Sequence, residues 1–164
     1  MSIQHYDNFL DKGNFNILQD FFLGPEVLWS WCDNVSEPAE CSELDNYQFY
    51  HMLFEDGQPK SEALMMVFPI LDKVNSGRVI RVKANCNPRH TEIIKYGMHI
   101  DQSVECTTAI YYVNTNNGYT EFEDGSRVES IENRLVTFPS YMKHTGTTCT
   151  DQKRRIVINF NYYG

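Results

Sequence analysis

His99 and Asp101 stand two residues apart, so an imidazole and a carboxylate project from the same side of an extended strand while Ile100 turns into the opposite layer. One histidine far downstream, His144, is placed to answer them. If the fold sets His144 beside the pair, the three make a two-histidine, one-carboxylate face. Such a face leaves about half of an octahedral metal's positions open, the arrangement that suits ferrous iron in non-haem oxygenases. H-x-D also occurs by chance at strand ends, where it merely caps, so the elements around it decide the reading.

From Ser76-Gly77 onward the pattern alternates. Arg78 to Cys86 places Val79, Arg81, Lys83 and Asn85 on one face and Ile80, Val82 and Ala84 on the other, as in a half-buried strand. Further strands are expected at about 92–101, 106–113, 119–123, 127–131, 134–138 and 154–163, with Asn116-Asn117-Gly118 and Asp124-Gly125 as hairpin-type turns. On the strand at 106–113, Thr108, Ile110 and Tyr112 share a face.

Residues 1–75 are expected to form a mainly helical support. Pro25-Glu26 followed by Val27, Leu28, Trp29 and Trp31 resembles a helix opening and predicts a helix over 25–34. The acidic stretch Asn34 to Asn46 is expected as a surface loop, and the aromatic run Tyr47 to Phe54 as a strand. Ser61 is a plausible cap for a helix through Asn75, with Pro69 kinking or splitting it. Helical support followed by many short strands points to an α+β, mainly β, domain spanning 1–164, with a closed or double sheet over about 76–163.

With 41% hydrophobic residues in 164, the chain fits one domain with its own core. It carries no apolar run long enough to span a bilayer, and Met1 to Tyr6 lack the pattern of a signal peptide. A soluble, cytoplasmic protein is therefore expected, with no membrane partner. Five cysteines without a C-x-x-C pair argue against a disulfide framework or a zinc ribbon. A net charge of -8 argues against binding bulk nucleic acid. His5, His51 and His90 lack partner motifs and are read as non-ligands.

The order of segments in the second half carries a resemblance. T-A-I-Y-Y-V-N precedes Gly118-Tyr119-Thr120-Glu121-Phe122, R-L-V-T-F-P-S precedes His144, and Arg154-Arg155-Ile156-Val157-Ile158-Asn159 follows. From about Arg78 to Tyr162 the chain resembles the 2-oxoglutarate and Fe(II)-dependent oxygenases, in their prolyl 4-hydroxylase-like branch. The resemblance implies a double-stranded β-helix, or jelly roll, with His99, Asp101 and His144 as iron ligands and 2-oxoglutarate and O2 as cosubstrates. It also implies a basic residue beyond the distal histidine that binds the far carboxylate of 2-oxoglutarate. Either Arg154 or Arg155 can serve. Spacing and strand parity favour Arg155, whose face also carries Val157, Asn159 and Asn161.

The resemblance places Tyr112 on the same carboxylate and brings Thr108, Ile110, Leu135 and Asn159 to the pocket as candidate lining. Met98 departs from the aromatic residue frequent at its position. The activity implied is hydroxylation of an unactivated C-H bond in a prolyl, peptidyl or amino-acid substrate, with release of succinate and CO2. Two alternatives stay open: a cupin-like metal protein with other chemistry, and a non-catalytic binding module that keeps the fold. The oligomeric state is left unassigned.

Overall fold

A computed structural model describes residues 2–164; position 1 of the expected domain lies outside them. The chain runs β1 (Gln4–Tyr6), α1 (Lys12–Leu23), β2 (Ser30–Cys32), β3 (Gln48–Glu55), β4 (Gln58–Pro59), a 3-10 turn (Glu62–Val67), α2 (Phe68–Lys73) and β5 (Arg78–Pro88). It continues through β6 (Thr107–Tyr112), β7 (Tyr119–Phe122), β8 (Arg127–Glu129), β9 (Arg134–Pro139), β10 (His144–Gly146) and β11 (Arg154–Tyr163). An eight-stranded sheet is ordered β1-β9-β6-β11-β5-β3-β2, with β4 added to β3, and a three-stranded sheet is ordered β10-β7-β8. The pairings are antiparallel throughout. This mainly β, two-sheet arrangement is the expected jelly roll.

Alternation divides the large sheet's two faces. Ala84 on β5, Ala109 and Tyr111 on β6, Leu135 on β9, and Ile156, Ile158 and Phe160 on β11 pack in one core with the helices. Ile110, Tyr112, Val136, Phe138 and Val157 turn the other way and meet Phe122 and Val128 of the small sheet. In α1, Phe15, Leu18 and Phe22 supply the buried stripe, and the Asp11 side chain caps the first turn by accepting from the Gly13 and Asn14 amides.

Several expectations need correction. Residues 25–34 are not helical: α1 ends at Leu23, residues 25–29 are irregular, and β2 begins at Ser30. Pro25 stops the preceding helix rather than opening the next one, as prolines shortly after a C-cap do. The first 75 residues are also less helical than expected, since they contribute β1 to β4. The helix anticipated from Ser61 splits where Pro69 falls, with Ser61 Oγ accepting from the Ala63 amide.

The segment 92–101 is not a strand. It is held by isolated bridges, Lys95 to Thr147 and His99 to His144. Asn116-Asn117-Gly118 is not a hairpin turn either; it carries the chain from β6 in the large sheet to β7 in the small one. Asp124-Gly125 does form the turn between β7 and β8.

Candidate active site

The bridge between His99 and His144 builds the site from the backbone upward. Each residue's amide donates to the other's carbonyl at 3.0 Å, which sets the two rings 5.0 Å apart between centroids. Each ring is oriented by the same device, because Nδ1 of His99 lies 3.1 Å from the Gly97 carbonyl and Nδ1 of His144 lies 3.1 Å from that of Met142. Carbonyls accept only, so Nδ1 carries the proton in both rings and Nε2 presents its lone pair.

Asp101 closes the face. Its Oδ1 is 3.8 Å from His99 Nε2, and its Oδ2 is 3.9 Å from His144 Nε2. One donor atom from each of the three residues falls within a 4.8 Å group. Asp101 Oδ2 is buried and, among the described residues, has no hydrogen-bond partner. Burial alone would push this carboxyl up, but the His144, Arg81, His99 and Lys83 side chains around it hold it below the ordinary value. Two imidazole nitrogens and a buried carboxylate with one unpartnered oxygen, converging on one point, fit a divalent metal.

The same cavity is lined by Ile110, Thr120, Arg155, Val157 and Asn159. Arg155 is 1% exposed. Its Nε donates to Ser130 Oγ at 2.9 Å and its Nη2 to Thr120 Oγ1 at 3.2 Å. Among the described residues no carboxylate pairs with it. Burial lowers its pKa, yet an arginine keeps its charge, so the guanidinium is an anion site without a protein anion. Gly118 makes room for it: a Cβ there would stand 2.6 Å from Arg155 Cδ and 2.6 Å from the Thr148 carbonyl.

Arg154, one residue earlier, points outward and donates to the Leu23 carbonyl. Tyr112 is fully buried behind the cavity wall. Its hydroxyl donates to Thr120 Oγ1 at 2.8 Å, the oxygen that also receives Arg155 Nη2.

The structure moves two of the anticipated lining residues. Leu135 faces the helical core. Thr108 is buried behind the wall, where its Oγ1 accepts from Asn161 Nδ2 at 3.0 Å. Asn161 Oδ1 accepts from Arg81 Nε at 3.2 Å, and Arg81 Nη2 lies 3.3 Å from Asp101 Oδ1. Thr108 therefore sits at the outer end of a chain that positions the metal-facing carboxylate. Ile100, expected in the opposite layer, lines the cavity mouth because its segment is not an extended strand.

Arg81, Lys83, Asn85, Asn87 and Tyr96 also line the cavity without having been singled out as site residues. The alternation on β5 had already put Arg81, Lys83 and Asn85 on one face. That face reads as solvated when β5 is taken for an ordinary half-buried strand, and it turns inward because the small sheet lies opposite.

The remaining histidines have other roles or none. His51 contacts the Leu28 carbonyl and Ser61 Oγ, His90 contacts Tyr47, and His5 is exposed.

No protein-family model matches the sequence, and comparison with curated proteins gives no match. Solved structures do match over nearly the whole chain. A prolyl hydroxylase from Trichoplax adhaerens, in complex with a hypoxia-inducible-factor oxygen degradation domain peptide fragment, superposes with a TM-score of 0.68 at 15% identity, covering 99% of this chain and 83% of that one. A Pseudomonas putida prolyl-4-hydroxylase gives 0.64 at 14% identity, covering 99% and 93%. The epimerase SnoN, in complex with Fe3+, alpha ketoglutarate and nogalamycin RO, gives 0.66 at 11%, covering 99% and 78%. The fold is that of the 2-oxoglutarate-Fe(II) oxygenases and prolyl hydroxylases.

Proposed function

We propose that this protein is a ferrous, 2-oxoglutarate-dependent dioxygenase that hydroxylates an unactivated C-H bond of a prolyl, other peptidyl or amino-acid substrate. One observation carries the reading: Arg155, a buried cation without a protein anion, shares a cavity with a facial set of two imidazoles and a carboxylate. His99 and His144 would hold the iron through Nε2, and Asp101 through a carboxylate oxygen. Bound iron supplies the redox chemistry by which O2, 2-oxoglutarate and R-H become succinate, CO2 and R-OH.

The chain's own residues bind and orient. Arg155 receives the far carboxylate of 2-oxoglutarate through charge-assisted hydrogen bonds, a role for which a planar guanidinium is suited. Tyr112 and Thr120 hold that guanidinium in line, while Ile110 and Val157 wall the space with apolar surface. Asn159, whose buried Oδ1 has no partner among the described residues, faces the same space. On substrate class, the named structures of this fold bind a peptide in one case and a small molecule in another.

The test is anaerobic loading with Fe(II), followed by calorimetric titration of 2-oxoglutarate and measurement of succinate release in air. One iron per chain, saturable binding and succinate formation are expected. A protein that takes up iron but binds no 2-oxoglutarate would overturn the reading and leave the cupin-like alternative.

A further inference from the structure

The cavity holds a second cationic side chain, Lys83, that makes no direct ion pair among the described residues. β5 runs antiparallel to β11 with Asn87 opposite Arg155 and Lys83 opposite Asn159. Lys83 therefore lies four residues along the paired strands from the level of Arg155, about 13 Å at the usual rise per residue. 2-Oxoglutarate spans only about 6 Å between its carboxylates, given carbon-carbon bonds near 1.5 Å. That is less than half of the spacing between the two backbone levels.

Arg81, beside Lys83, is already committed to Asp101 and Asn161. Lys83 is not: among the described residues its ammonium makes no hydrogen bond or ion pair, and it stands over the Tyr50 ring, 5.7 Å from the centroid. Burial, with the neighbouring charge of Arg81, lowers the Lys83 pKa despite the opposing pull of Asp101, a cost that an anion in direct contact would offset. The face that carries Lys83 continues across β3, where Met52 stands opposite Lys83 and Tyr50 opposite Asn85. Both are half-buried, so they form a partly open shelf beside Lys83.

We infer that the substrate of the proposed reaction carries an oxyanion, a carboxylate or a phosphate, which Lys83 receives while the carbon skeleton lies over Tyr50 and Met52. This rests on the dioxygenase reading and narrows it: an uncharged residue inside a peptide offers Lys83 nothing, whereas a free acid does.

The test is calorimetric titration of the iron-loaded protein under anaerobic conditions with 2-oxoglutarate in excess. The probes are N-acetyl-L-proline, its uncharged amide, and phenyl phosphate. At least one anion is expected to bind ten times more tightly than the amide, and which one does so identifies the group. Lys83→Met should bring that anion down to the level of the amide, while Lys83→Arg should keep most of its affinity; Lys83→Gln replaces the methionine variant if that one melts early. The inference is overturned if the amide binds as well as the anions, if Lys83→Met keeps the preference, or if neither anion binds. The titration of 2-oxoglutarate itself, recorded first, separates the two readings. Its absence overturns both, and its presence without an anion preference overturns this one alone.

Discussion

At Arg155, two nitrogens are tied to the hydroxyls of Ser130 and Thr120, and the rest of the guanidinium is left for a ligand. Truncating one member of a buried charge pair typically costs about 2–5 kcal/mol, so Arg155→Ala should weaken 2-oxoglutarate binding by roughly 30-fold or more. Arg155→Lys should recover part of that, because an ammonium lacks the planar fork. Arg154→Ala, on the outer face, should leave the affinity within about 0.5 kcal/mol. Calorimetric titration of the three variants checks this; a large loss confined to Arg154→Ala would reverse the assignment. The nearby Gly118→Ala is expected to lower the same affinity without touching any polar group, since its methyl would meet Arg155 Cδ and a carbonyl at 2.6 Å. For the metal face, Asp101→Ala and His144→Ala should each lose bound iron after desalting while retaining a cooperative melt; iron retained at wild-type stoichiometry would sink the ligand assignment.

Among the elements, the segment before His99 does the most positioning with the least regular structure. Ser36 Oγ accepts from the Gly97 amide at 2.7 Å, the Glu40 carboxylate accepts from the Met98 amide at 3.1 Å, and the Gly97 carbonyl orients His99. A Cβ on Gly97 would meet the Pro38 carbonyl and stand 2.7 Å from Ser36 Oγ. Gly97→Ala should therefore part loop 34–46 from the ligand segment and weaken iron binding while leaving most of the melting temperature intact; unchanged iron affinity would count against this coupling.

The same segment shows where sequence reading stops. The inward parity of β6 and β11 was legible because both faces of those strands are committed, one to the helices and one to the cavity, so alternation has a single solution. Residues 92–101 have no such periodic constraint. Their bridges to Thr147 and His144 come from residues far along the chain. The relay from Thr108 through Asn161 and Arg81 to Asp101 was illegible for the same reason: it links three strands and the ligand segment, and no local pattern encodes it.

For the molecule as a whole, the charge is unevenly placed: the chain carries a net -8, yet Arg81, Lys83 and Arg155 all line one cavity. The outside should repel polyanions, and no salt-dependent affinity for duplex DNA is expected; a steep salt slope in a titration would contradict this. Acid should loosen the contacts of β7, among others. Glu121 on β7, its side chain 10% exposed, accepts from Lys95 at 3.0 Å and Arg127 at 2.6 Å. Those hydrogen bonds hold its carboxyl below the ordinary 4.5. A carboxyl depressed in the folded state stabilises the fold above its unfolded pKa and loses that contribution as pH falls through its folded value. The melting temperature should thus drop as pH falls below about 4.5, and Glu121→Gln should melt lower at neutral pH with a shallower acid limb. Equal acid limbs in the two proteins would exclude Glu121 as the cause.

β11 is the last strand in sequence and a central one in space, with β5 on one side and β6 on the other. Until it inserts, the segments on either side have no ladder between them, and the inner wall of the cavity is missing. Nearly all of its pairings are distant in sequence, so the search for the native arrangement is governed by closing long loops, and slow folding follows. A chain whose β11 had not yet inserted would expose the edges of β5 and β6, lack Arg155 in place, and be open to pairing with another chain's strand. In this architecture the step that completes the sheet also completes the anion site, so a dicarboxylate present during refolding should favour the closed form by mass action, without any new contact being made elsewhere.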